Sequence, residues 1–344
     1  MDKKPKEYEA DVVVVGSGPG GATVARELSK IGKKIILCES GSFYKNLGRF
    51  YSPMMMMKKG GMTFTKDGLL LNIGKTAGGL SMVYAATATK PPAWLKDKYG
   101  IDLQTEIDEI YKEIPVQPLP DALIGPGARL LMESGRALGL DWKPTHKYIR
   151  PEKCPLHCGQ CIIGCTTGAK WTAREFLNVA EQNEAKIFFR TTVDKVLTKG
   201  GQAIGVTAHG AGGAITIKAN TVVVSAGGVA SPNILQRSGL KAVGDGFMCD
   251  PVHFVYGVGP EYGNMFDVPI SAAAHLEDEG ILFSDISCSR MFNYGILAYT
   301  GVKGLAFMRK ASKRDKLLCV MVKVKDELNG RVTEDGSIYK SIDE

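Results

Sequence analysis

The feature that most constrains this chain lies at its start. Asp11-Val12-Val13-Val14-Val15 is too short and too β-branched for a helix, and reads as a buried parallel strand. Gly16-Ser17-Gly18-Pro19-Gly20-Gly21 follows without a spacer. Val24, Leu28 and Ile31 then recur at helical spacing until Gly32, and Lys34 to Cys38 forms a second strand with Glu39 at its end. Strand, glycine turn, helix, strand and acid at these spacings make a dinucleotide site. Gly16 permits the tight turn, Gly18 lets backbone approach a pyrophosphate, and Gly21 lets the helix pack closely on the strand. The helix N-terminus adds free N–H groups and the positive end of its dipole. Glu39 can accept both ribose hydroxyls, and no arginine follows it to favour a 2′-phosphate. Ser17, Gly20 and Ser40 belong to the same candidate site. The pattern alone does not separate FAD from NAD.

Charge and hydropathy limit the setting. The 43 Lys and Arg against 36 Asp and Glu give +7, spread along the chain. The densest basic stretch, Lys303 to Lys316, reads as a solvated loop rather than a surface for an acidic partner or a membrane, and no nucleic-acid partner is expected. No run approaches the ~18 apolar residues of a membrane span. The N-terminus is charged and carries no hydrophobic leader, so a cytoplasmic location is expected. Cysteines in that compartment are thiols or metal ligands rather than disulfides.

Further along, Met54 to Met57 is a flexible apolar run, read as adaptable core filling or the lining of a pocket. A second glycine segment, Gly74-Lys-Thr-Ala-Gly78-Gly79-Leu-Ser81, lets a loop press against something flat or charged. Prolines 115, 118, 120 and 126 mark a loop, and Leu130 to Leu138 a short helix. Ala173, Phe176, Leu177 and Ala180 form one face of an amphipathic helix. Short strands are expected at residues 186–190, 193–197, 203–208 and 214–218. Another, Thr221 to Val224, runs into Ser225-Ala226-Gly227-Gly228, with a helix from Ser231 to Arg237. Beyond Asp250 the chain reads as strand after strand. Leu318, Val320, Val322 and Val324 share one face, and Asn329-Gly330 predicts a hairpin turn.

These segments, in this order, resemble the glucose–methanol–choline oxidoreductases, FAD enzymes that oxidise alcohols. The resemblance rests on residues 12–41 with Glu39, on Gly74 to Ser81, and most specifically on Ser225-Ala-Gly-Gly-Val-Ala-Ser-Pro232-Asn-Ile-Leu-Gln-Arg-Ser-Gly239. It implies FAD rather than NAD, with Gly16, Gly18, Gly21 and Glu39 at the ADP half. Gly78, Gly79 and Ser81 would lie near pyrophosphate and flavin, Val193 would present backbone to the adenine, and Ala226-Gly227 would close the pocket. It implies an α/β fold: a Rossmann-like FAD-binding domain from residues 8–45 and 185–240, a flavin-covering and cysteine-bearing insertion over 46–184, and a mixed or antiparallel substrate-domain sheet over 241–344. Tyr84 stands where the family often has asparagine beside the flavin. The family's catalytic histidine pair lies near its C-terminus and has no counterpart among His146, His157, His209, His253 and His275. The chain therefore reads as lacking its last portion, which a second polypeptide could supply. His253 is the one upstream histidine worth weighing as a substitute base, against a structural histidine on a strand.

Four of the eight cysteines fall in Cys154-Pro-Leu-His-Cys158-Gly-Gln-Cys161-Ile-Ile-Gly-Cys165. The C-x3-C-x2-C-x3-C spacing is compatible with a [4Fe–4S] cluster, with four-thiolate zinc, or with structural thiols, and His157 inside it with a ligand or a bystander. The family's long-chain alcohol oxidase subgroup carries a similar run. The function implied is hydride transfer from an alcohol carbon to flavin, with electrons passed to an acceptor. The rivals are a non-catalytic flavin-binding subunit and a flavin reductase acting on C=C bonds.

Overall fold

The computed structural model describes residues 5–49, 51–287, 301–312 and 316–340. The Val12–Val15 strand is buried along its whole length. It lies inside a four-stranded parallel sheet, ordered Lys186–Phe189, Ile35–Glu39, Val12–Val15, Thr221–Val224. Val12 and Val14, with Ile35 and Leu37, pack on Ala22 and Ala25 of the Pro19–Lys30 helix and on Phe176, Leu177 and Ala180 of the Arg174–Gln182 helix. Val13 and Val15, with Ile36 and Cys38, meet Val193, Val206, Ala208 and Ile217 on the other side. Those residues belong to an antiparallel sheet of Thr191–Lys199, Gln202–Gly210 and Gly213–Lys218, to which Lys6–Glu9 adds in parallel. Burial on both faces is why the strand is apolar throughout and does not alternate. Each of its valines contributes roughly 1.5–3 kcal/mol. The face predicted for the Arg174–Gln182 helix is the buried one.

A second, antiparallel sheet is ordered Val252–Val258, Leu317–Val324, Ile281–Asp285, Ala272–Leu276, Lys143–Pro144. The Pro126–Ala137 helix covers part of one face through Met132, with Trp142 beside it, against Ala272, Ala274 and Phe283. On the other face Cys319, Met321 and Ile286 pack with Ile162 of the cysteine loop. The α/β architecture with an antiparallel second sheet is thus the one expected.

Two local expectations are corrected. The basic stretch expected as loop contains the Val302–Ser312 helix, while residues 313–315 lie outside the described part. Leu317–Val324 alternates as expected, and its deeper face is that of Leu317, Cys319 and Met321, which Ile162, Ile270 and Ile286 cover. Asn329-Gly330 does not join two paired strands. Gly330–Val332 pairs with Ile338–Tyr339 and Asp245–Phe247, and the turn lies at Thr333 to Ser337, where Asp335 Oδ1 accepts from Thr333 Oγ1 at 2.5 Å and Ser337 N at 3.0 Å. Side-chain capping there outweighs a glycine signal four residues earlier. Among the described residues no helix is long and apolar enough to cross a membrane.

Candidate functional site

Three glycine segments, far apart in sequence, meet at the C-terminal ends of the parallel strands. Gly16 leaves Val15 with φ +97°, and its N–H donates to Cys38 O at 2.8 Å. Ser225 follows the neighbouring strand and donates its N–H to Val15 O at 2.8 Å. A methyl on Gly16 would overlap the Ser225 carbonyl, and one on Gly21 would overlap the Gly16 carbonyl. These two glycines are therefore fixed by packing within the protein itself. Gly18 differs. Its φ is −63°, and a methyl built there meets nothing within 4 Å. Gly79, at φ +57°, presses on it, since a methyl on Gly79 would lie 2.9 Å from Gly18 Cα. The Pro19–Lys30 helix opens with no capping side chain and no acidic residue in its first turn. Its leading amides, Gly20 among them, thus face a backbone-walled space in which the helix dipole favours an anion.

Ser17 ties the segments together. Fully buried, it donates its hydroxyl to Glu39 Oε2 at 2.5 Å and its N–H to the same oxygen at 3.1 Å, and accepts from Gly78 N at 3.1 Å. Glu39, 5% exposed, takes Gly41 N at 2.6 Å and the Ser40 hydroxyl at 3.4 Å on its other oxygen. A buried carboxylate needs such donors. With two donors on each oxygen its four lone-pair sites are engaged, the Ser40 hydroxyl making the longest contact at 3.4 Å. Ser81 is committed to the loop: its hydroxyl donates to Gly78 O at 2.5 Å and accepts from Ala173 N at 3.0 Å. The Val193 side chain is part of the core, and the strand's pairing is irregular just after it. Ala226 donates its N–H to Ser231 Oγ at 3.1 Å, and Gly227 opens the Gly227–Arg237 helix with φ +81°. The methionine run divides: Met56 is fully buried in the Ser52–Met56 helix, while Met54 and Met55 are exposed.

The segment after Ser81 is held by two buried lysines. Lys170 Nζ donates to Met82 O at 2.9 Å, Tyr84 O at 3.1 Å and Cys161 O at 2.7 Å. Lys147 Nζ donates to Ala85 O and Pro269 O, both at 2.7 Å. Burial pulls each ammonium down to about 8. The Tyr84 hydroxyl donates to Trp171 O at 3.1 Å, and burial raises it.

Cys154, Cys158, Cys161 and Cys165 lie on one loop as free thiols. Burial pushes Cys154 up to about 12, and also raises Cys158 and Cys161. Burial opposes ionisation of Cys165 too, but the Thr167 hydroxyl and the amides of Lys170, Thr167 and Ala169 outweigh it and lower its pKa. Among the described residues no three of His, Cys, Asp and Glu come together closely enough to hold a metal ion. The arrangement thus does not fit the iron–sulfur or zinc site that the spacing suggested. The loop does structural work instead: Ile162 packs on the second sheet, and Gly159 lies against Met265 and Phe266. Beside it opens a cleft of about 490 Å³, lined by Lys45, Arg49, Tyr51 and Cys165 among others. His253 stands exposed on the edge strand Val252–Val258, and His209 Nδ1 is 2.8 Å from Asp194.

Two residues at this site escaped the sequence reading. Ser225 appeared only as part of a segment, and Arg174 only as one of many cations. Arg174 Nε donates to Ala77 O at 3.0 Å and Nη1 to Tyr44 O at 2.8 Å, and the guanidinium lies 4.1 Å from the Phe43 ring centre. Only an unusually buried position distinguishes it, and sequence does not display burial of a lone arginine.

Residues 54–252, more than half of the chain, match the model of the GMC oxidoreductase family. An uncharacterized GMC-type oxidoreductase of Mycobacterium tuberculosis is 30% identical over 261 residues, which are 69% of this chain and 40% of the relative. A long-chain-alcohol oxidase of Arabidopsis thaliana is 28% identical over 279 residues, 74% of this chain and 38% of that one. The chain thus spans about four-tenths of the length of these relatives. Among solved structures, pyridoxine 4-oxidase shares the fold with a TM-score of 0.69 at 15% identity, covering 96% of this chain and 75% of that one. A formate oxidase of Aspergillus oryzae does so at 0.65 and 14%, covering 93% and 73%.

Proposed function

The chain belongs to the GMC oxidoreductases, and on that footing we propose that it binds FAD where its three glycine segments meet and oxidises the CH–OH group of an alcohol, with electrons passing on to an acceptor. The observation that carries this reading is the open space at Gly18. The space beside Gly16 and Gly21 is filled by the protein's own backbone, whereas Gly18 has room for a ligand, stands at a helix N-terminus and is flanked by Gly79. FAD, when bound, supplies the hydride acceptor. The chain supplies the rest of the cradle. The backbone at Gly18 and Gly79 admits the diphosphate, the amides at the helix start neutralise it, and Glu39 takes a ribose hydroxyl in exchange for its longest contact, that from the Ser40 hydroxyl. The positions of Ala226, Gly227 and Val193 suit the pocket's closing edge and the adenine. Ser81 and Lys170 fix the segment over residues 78–84 so that it holds its shape before a ligand arrives.

An anaerobic titration tests the reading. Protein loaded with FAD and mixed with primary and secondary alcohols should show loss of the oxidised-flavin absorbance. FAD uptake without bleaching by any alcohol would favour a non-catalytic flavin-binding subunit. Absence of FAD uptake would overturn the reading altogether.

A further inference from the structure

Two of the buried cations among the described residues have an acid beside them. Arg26 pairs with Glu113 at 2.6 Å, and Lys340 with Asp326 at 2.7 Å. Arg174 is 9% exposed, yet among the described residues no carboxylate pairs with it. Its partners are neutral: Ala77 O, Tyr44 O, the Thr76 hydroxyl at 3.4 Å and the Phe43 ring. Lys147 and Lys170 are also caged by neutral oxygens, but Lys147 feels the Asp285 carboxylate, and burial brings both to about 8, nearer to losing the proton than Arg174. Burial brings Arg174 only to about 10, so it stays charged at neutral pH. A fixed, uncompensated charge in a protein interior is costly unless something anionic completes it.

Its location says what that anion is. The Arg174 stem packs on Gly78, whose methyl would stand 3.2 Å from Arg174 Cγ, and the next residue, Gly79, presses on Gly18. The guanidinium is thus hydrogen-bonded to residues 76 and 77, next in sequence to the glycine pair that walls the anion space, and is held there by Ala77 O and Tyr44 O. We propose that Arg174 is the buried counter-charge of the dinucleotide's diphosphate, acting from behind the glycine segment. It is a positioning residue that touches no reacting atom, and this inference rests on the FAD reading above.

Two substitutions separate charge from hydrogen bonding. Arg174→Lys keeps the charge with fewer donors, whereas Arg174→Gln keeps N–H donors without charge. Flavin fluorescence quenching gives the affinity for FAD, and thermal melting of the FAD-free proteins gives their stability. The Lys variant should bind FAD at least about tenfold more tightly than the Gln variant, because a diphosphate near a buried charge is poorly screened. Without FAD the Lys variant should be no more stable than the Gln variant. ADP, which carries the diphosphate without the flavin, should show the same order of affinities. Equal FAD affinities in the two variants would overturn the proposal and leave Arg174 a neutral clamp. Should the Gln protein fail to fold, Arg174→Met serves as the uncharged variant under the same criterion. Failure of the unaltered protein to bind FAD would instead defeat the underlying reading.

Discussion

Replacing Gly18 by alanine should separate folding from cofactor binding. The backbone there is at φ −63° and ψ 179°, which alanine adopts freely, and its methyl would meet no protein atom within 4 Å. Two small effects act on the fold. Alanine is a poorer helix N-cap than glycine, which costs about 0.5–1 kcal/mol. It also restricts the unfolded chain, which returns about 0.4–1 kcal/mol. The net should lie within ~0.5 kcal/mol, or about 1–2 °C in melting temperature for a chain of this size. The ligand meets the methyl directly. Loss of one charge-assisted hydrogen bond from backbone to diphosphate is worth about 1.5–3 kcal/mol, so FAD affinity should fall by roughly 10- to 100-fold. Thermal melting of the FAD-free protein and fluorescence titration with FAD measure the two quantities on one preparation. Melting many degrees below the unaltered protein, or binding FAD as tightly, would show that the open space at Gly18 is not where the ligand lies.

Gly21→Ala should behave in the opposite way and destabilise the FAD-free protein by about 3 kcal/mol or more, since its methyl has no room beside the Gly16 carbonyl; chemical denaturation checks this. Lys340→Met should cost about 3–5 kcal/mol by leaving Asp326 charged and buried, since the two side chains are only 1% and 5% exposed; the same denaturation series reads it out. Asp285, fully buried and accepting from Ala272 N at 2.8 Å and Ser271 N at 3.1 Å, is raised by burial to about 7. The folded state thus binds its proton more tightly than the unfolded state, and its contribution to stability falls as pH rises from about 4 to 7. Asp285→Asn should flatten that decline in melting temperature; an unchanged slope would refute the assignment.

The parts of this molecule legible in its sequence are those whose cause is local. The strand at Val12, the turn at Gly16 and the helix face of Phe176 and Leu177 each follow from spacing, and each stands where it was expected. What escaped depends on distant neighbours. Arg174 matters through Ala77 and Tyr44, and the buried face of Leu317–Val324 is chosen by Ile162 of the cysteine loop. The cysteine spacing was the most suggestive local pattern and the least informative. Spacing does not fix where thiols point, and this loop directs Ile162 at the neighbouring sheet.

The contact between Gly16 and Ser225 also has a consequence in time. The turn that opens the cradle is synthesised before the residue it leans on, because about 200 residues separate Gly16 from Ser225. Contacts this far apart in sequence form late, because a long loop has to close first. On a ribosome the first glycine turn would therefore wait, unsupported on one side, until the strand before Ser225 had emerged. The cradle would close only when both of these distant segments were available.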